Sequence, residues 1–98
     1  MENFYEIIKG EGLTLVDFFA TWCGPCKTMH PVLERLKEMS GDSVRILKLD
    51  VEKNNALVSR YDVRSVPTFL LFKNGDVVWR QSGTLELNDF KLLVDRYL

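Results

Sequence analysis

Both cysteines of the chain lie in one hexapeptide, WCGPCK, which runs from Trp22 to Lys27. Two thiols separated by two residues have a particular chemistry open to them. In the first turn of a helix, Cys23 and Cys26 fall on one side. Their Cα atoms would then be about 5–6 Å apart, a separation that a disulfide spans. Pro25 suits such a turn, because the N–H it lacks would be unpaired there anyway. The sulfur of Cys23 would face the free N–H groups and the positive end of the helix dipole. That environment, with Lys27 beside it, favours the thiolate, which is the nucleophilic form of cysteine. A bridge closing so short a loop constrains little chain. It suits the transfer of electron pairs better than the stapling of a fold.

Two other readings of the pair fit less well. A permanent disulfide belongs in an oxidising compartment. The opening MENFYEIIKGEGL carries neither the basic head nor the apolar core of a secretory leader, so a cytoplasmic address is expected, where thiols stay reduced. Zinc is the sharper rival, since Cys23, Cys26 and His30 share a helix face at i, i+3 and i+7. A structural zinc site takes four ligands, and the sequence holds no further cysteine or histidine. No metal and no separate cofactor are expected, and His30 is read as a surface or rim residue.

The bulk properties set the frame. The sequence has 98 residues, 46% of them apolar and 28% charged, which suits one domain spanning 1–98 with a single core. Thirteen basic against 14 acidic residues leave a net charge of -1. With no basic run, nucleic acid and anionic membranes are not expected partners. No segment is long and apolar enough to span a bilayer.

The elements that must position the dithiol follow from periodicity. Residues 3–9 form a short helix with Phe4, Ile7 and Ile8 on one side, ended by Gly10 and Gly12. Leu13 to Ala20 is a nearly continuous apolar run, the signature of a strand buried on both faces. Helical spacing of Met29, Val32, Leu33 and Leu36 carries a helix from the cysteines to Ser40, with a kink expected at Pro31. A second strand covers 44–51, and Asn54 or Asn55 caps a short helix through Tyr61. Strands at 68–72 and 77–80 are joined by an Asn-Gly hairpin turn. A last helix spans 87–97. Strand, helix, strand, then hairpin and helix give an α/β fold, a mixed sheet with helices on both faces.

Three further positions bear on chemistry. Asp17 interrupts the apolar strand. If its carboxylate is buried, its pKa rises and it becomes a proton acceptor for Cys26. Lys48 interrupts the second strand in the same way and could partner it. The alternative is that each side chain points to solvent, and the pattern alone weighs the two readings equally. At Val66-Pro67-Thr68, just before a strand, the pattern favours a trans proline.

Taken together, FFATWCGPCK, the strand Asp17, Lys48, VPT at 66–68, FKNG at 72–75 and Gly83 resemble the thioredoxin family in order and spacing over nearly the whole chain. The resemblance implies a thiol-disulfide oxidoreductase working as a protein-disulfide reductase and itself re-reduced by a partner reductase. Cys23 would attack the substrate disulfide and Cys26 would resolve the mixed disulfide. Asp17 would be the buried proton acceptor, with Lys48 as its neighbour. Pro67 would be cis, with the Val66 backbone pairing with an extended substrate segment. Trp22, Gly24, Pro25, Gly83 and Thr84 would form the rim that receives disulfide-containing proteins. Gly-Pro between the cysteines resembles the reductants of the superfamily. The rivals are a disulfide oxidase or isomerase on the same fold, and a redox-silent binding subunit.

The sequence departs from the family twice. The usual first strand is missing before Asp17, which implies four strands ordered 44–51, 13–20, 68–72, 77–80. The strand at 44–51 then lies at an open edge, expected to be covered by the N-terminal residues or by a second subunit, in a chain otherwise expected to be a monomer. Phe19 stands where many bacterial members carry a second tryptophan.

Overall fold

In the computed structural model, which describes residues 3–98, the apolar run after Gly12 becomes the centre of the sheet. The elements are α1 (Phe4–Ile8), β1 (Leu13–Phe19), α2 (Gly24–Ser40), β2 (Val44–Asp50), α3 (Asn55–Arg60), β3 (Thr68–Lys73), β4 (Asp76–Ser82) and α4 (Leu87–Tyr97), with a 3-10 turn at Gly41–Ser43. The strand order is β2-β1-β3-β4, with β1 and β2 parallel and the other neighbours antiparallel. This is the order that the family resemblance implies.

The first six residues of β1 are buried because helices cover both of its faces. On one face Leu13 and Leu15 meet Met29, Leu33 and Leu36 of α2 and Phe90, Leu93 and Val94 of α4. On the other, Val16 and Phe18 meet Ile8 of α1, with Phe4, Leu57 and Val58 packed alongside. Aromatic pairs lock each layer. Phe69 meets Phe90 edge-on at 5.1 Å, and Phe4 meets Phe72 at 5.6 Å.

Local chemistry ends the elements where the sequence indicates. Gly41, at φ 54°, caps α2, and Lys37 Nζ donates to the carbonyls of Gly41 and Val44 at 2.7 Å each. Asn74 and Gly75, at φ 53° and 85°, make the tight turn between β3 and β4. Glu86 and Asp89 form a reciprocal capping box at the start of α4.

Two expectations are corrected. Asn54 is the N-cap residue of α3, but its side chain makes no capping bond. Its Nδ2 donates instead to the carbonyl of Asp50 at 2.9 Å, which ties the helix start to the end of β2. Within the described residues, the N-terminal segment 3–12 does not pair with the open edge of β2. It packs on a sheet face and reaches the β3–β4 turn, where Asn74 N–H donates to Gly10 O at 3.1 Å and Gly75 N–H to Ile8 O at 2.8 Å. Among the described residues no strand pairs with the outer side of β2. The share of that expectation falling on Met1 and Glu2 lies outside the described residues.

The register brings distant segments to one end of the sheet. A single row runs Leu49–Phe18–Thr68–Ser82 across all four strands. Just beyond that row come Glu52, the segment Trp22–Cys26, Val66–Pro67 and Gly83–Thr84.

Candidate active site

Helix α2 begins at the dithiol. Cys23 is its N-cap residue, Gly24 and Pro25 open the first turn, and Cys26 lies in that turn. The cysteines are joined by a disulfide, with Cα atoms 5.3 Å apart. The backbone N–H of Cys26 donates to Cys23 Sγ at 3.1 Å. One of the helix's unpaired donors is therefore aimed at that sulfur, as the sequence argument requires. Both cysteines are buried against Ala20, with Phe19, Val51 and Val66 packed around them.

Behind Cys26 lies a pocket lined by Asp17, Phe19, Ala20, Thr21, Cys26, Lys27, His30 and Lys48. Asp17 shares the sheet face of Leu13 and Leu15, so it points under α2 and not to solvent. It is 3% exposed, and its Oδ1 has no hydrogen-bond partner among the described residues. Burial pushes its carboxyl up from 3.8 to about 6, while the Lys48 ammonium pulls it back. Lys48 stands opposite Asp17 in the β1–β2 register. Of the two readings left equal by the sequence, the structure takes the buried one for Asp17. Lys48 is half-buried and lines the same pocket.

The rim is built from three loops. Trp22 is 70% exposed, and its Nε1–H donates to Glu52 Oε1 at 2.6 Å, which fixes the ring at the edge of the dithiol. A shallow apolar groove runs from Trp22 over Val51, Val58 and Val63 to Val66. The Val66–Pro67 peptide is cis, as the family resemblance implies, which corrects the trans proline favoured by pattern. A tertiary amide has only a slight trans preference, so tertiary contacts decide the isomer. Here Gly83 N–H donates to Pro67 O at 2.8 Å, and Thr68 Oγ1 donates to Ser65 O at 2.7 Å. Gly83 makes that contact at φ 92°, a conformation that favours glycine. Gly24, Pro25 and Thr84 are exposed on this rim.

Sequence reasoning assigned no role to two residues that the structure places at the site. Glu52 holds Trp22 from 30 positions away. His30, read as a rim residue, is at the pocket mouth, where Lys48 Nζ lies 2.6 Å from its Nδ1. Its position four residues after Cys26 on α2 was the available signal, since i and i+4 share a helix face.

Comparison with known proteins agrees with this geometry. The family model Thioredoxin matches residues 1–96. A thioredoxin from Bacillus subtilis (strain 168) is 43% identical over 88 residues, covering 90% of this chain and 85% of that protein. Thioredoxin Y, chloroplastic, from Oryza sativa subsp. japonica is 44% identical over 87 residues. That match covers 88% of this chain but only 52% of the rice protein, so the chain spans about half of its length. Among solved structures, a single-residue mutant of thioredoxin from Halobacterium salinarum NRC-1 superposes with a TM-score of 0.83 at 38% identity. The match covers 93% of this chain and 78% of that one.

Proposed function

Because the chain belongs to the thioredoxin family, and is by that membership a thiol-disulfide oxidoreductase acting as a protein-disulfide reductase, we propose a division of labour at the end of its sheet. Cys23 attacks one sulfur of a substrate disulfide. A mixed disulfide forms, and the released substrate thiolate takes up a proton. Cys26 then gives its proton to the Asp17 carboxylate, and its sulfur attacks Cys23 Sγ. The second substrate sulfur leaves as a thiol, taking up the proton that Asp17 holds, and the enzyme keeps the Cys23–Cys26 disulfide. Two electrons and two protons have passed to the substrate. A partner reductase restores the dithiol.

One observation carries this assignment. The two sulfurs lie in opposite fields, with Cys23 Sγ on a helix N–H and Cys26 beside a buried carboxyl. Lys48 moderates that carboxyl. The rim of Trp22, Gly24, Pro25, Gly83 and Thr84, with the groove leading to Val66, receives an extended substrate segment whose backbone pairs with Val66. A single copy of the chain contains all of these residues, and we assign it to a monomer working in the cytoplasm, where a reductase can keep it charged. Among the described residues, no helix is long and apolar enough to cross a membrane.

The test is the reduction potential of the Cys23–Cys26 pair, equilibrated against dithiol buffers of known poise. A value near or below about −250 mV is expected of a reductant. A value above about −200 mV would reverse the direction of electron flow and overturn the proposal.

A further inference from the structure

The division of labour above leaves the imidazole of the pocket without a task. His30 lies one turn beyond Cys26 on α2, and the Lys48 ammonium sits 2.6 Å from its Nδ1 and 3.2 Å from its Nε2. An ammonium group has only donors. The ring must therefore accept at that contact, which needs a neutral imidazole. A protonated ring carries N–H at both nitrogens, and it would repel Lys48 at this distance. The ring has another place to go. Glu34 Oε1 lies 3.7 Å from Nε2 on the same helix, and the His30 side chain is 58% exposed.

Lys48 then loses its partner. Two anions stand near it: Glu34, which lines a neighbouring hollow with Lys48 and is engaged by the protonated ring, and Asp17, directly opposite in the strand register and with no partner for Oδ1 among the described residues. The charged or titratable groups around His30 are Cys26 (a thiol once reduced), Lys27 and Glu34 on its own helix, Asp17 on β1 and Lys48 on β2. The remaining lining residues Phe19, Ala20 and Thr21 carry no charge.

We propose that His30 is a positioning residue for Asp17: its neutral ring holds the Lys48 ammonium at the pocket mouth, and its protonation releases that ammonium to the buried carboxylate. Histidine as a residue type changes charge across the neutral range. Burial raises the Asp17 carboxyl to about 6. A proton on His30 thus opposes a proton on Asp17, both by its own charge and by freeing Lys48. Asp17 stays ionised, and able to accept from Cys26, to lower pH than it would beside an uncharged residue. The inference rests on the reading of Asp17 as the acceptor, and it adds the device that keeps that acceptor ready in mild acid.

The test follows the Asp17 carboxyl carbon by NMR as pH is varied, in the reduced protein and its His30→Gln and His30→Lys variants. Glutamine can accept from Lys48 but never gains charge. Lysine is always charged and cannot accept. The wild-type midpoint is expected to lie below that of His30→Gln by about half a pH unit, the scale of one unit charge acting through a partly solvated pocket. The wild-type curve should bend where the His30 ring protons titrate, and the His30→Lys midpoint should lie at or below the wild-type one. A merely structural His30 would alter stability and leave the Asp17 curve in place. Superimposable Asp17 curves for the three proteins overturn the proposal. The pH–rate profile of disulfide reduction keeps its premise separate. If the Asp17 midpoint moves while the rate profile does not, the coupling stands and the role of Asp17 toward Cys26 fails.

Discussion

Asp17→Asn should make this protein more stable and less active, with a gain that depends on pH. The Asp17 carboxyl, raised from 3.8 to about 6, binds a proton more tightly in the folded chain than in the unfolded one. Its contribution to stability is therefore fully present below about pH 4, declines as pH rises between the two values, and levels off above about pH 6. A difference of about two pH units corresponds to a deficit of about 3 kcal/mol at neutral pH. Asparagine removes the charge at nearly constant volume, although its amide still lacks partners in a site where Oδ1 has none. The expected gain is about 2–3 kcal/mol at neutral pH and close to zero near pH 4, read by urea denaturation of the reduced proteins. For a domain of this size it corresponds to a rise in Tm of about 10–20 °C. Disulfide reduction by the variant should slow at least about tenfold, because Cys26 has lost its proton acceptor. An equal change in stability at both pH values would show that the carboxyl titrates normally, and would remove the buried-acceptor argument with it.

Other predictions rest on separate features. Cys23→Ser should abolish reduction, whereas Cys26→Ser should accumulate mixed disulfides with substrate proteins on non-reducing gels; no such adducts would refute the resolving role of Cys26. Phe90, fully buried against Phe69, should cost about 3–5 kcal/mol when replaced by alanine, and a loss below about 1 kcal/mol would mean that the α4 layer is not part of the cooperative core. The outer strand β2 carries Arg45, Lys48 and Asp50 along its length, and charges on an edge strand discourage pairing. Light scattering should therefore give a monomer, with fast amide exchange at alternate β2 positions and slow exchange throughout β1. A dimer with uniformly protected β2 would show that a second copy covers the edge.

The legible parts of the fold were those set by local sequence. The apolar run at β1 announces two covered faces, Asn74-Gly75 announces its hairpin, and the Cys-Gly-Pro-Cys turn announces a helix start. The unreadable parts depended on contacts between elements. In a run where almost every residue is apolar, alternation cannot show which way Asp17 points, and only the packing of α2 over that face decides it. The Pro67 peptide is nearly balanced locally, and the bond from Gly83 that helps to settle it comes from sixteen positions downstream. The Asn54 side chain had both a capping role and the Asp50 carbonyl within reach, and took the carbonyl. His30 and Lys48 are 18 positions apart on different elements, and Trp22 and Glu52 are 30 apart, so neither pair leaves a local pattern.

The sheet topology explains why such distant residues meet. β1 and β2 are parallel, so both end on the same side, while β3 runs antiparallel and therefore begins there. β4 returns to that side and delivers Gly83. The helix that follows β1 must also start there, which puts its free N–H groups on Cys23. Its next turn passes over Asp17, which the strand can bury only because that helix covers it. The same connection thus aims a helix N–H at the first sulfur and buries a carboxyl behind the second, the group proposed above as its proton acceptor. A symmetric dithiol would have no preferred order of attack. In the proposed mechanism the helix N-terminus favours the Cys23 thiolate and Asp17 takes the proton of Cys26, so the sulfur that meets the substrate attacks first. The second waits until a mixed disulfide exists to be resolved.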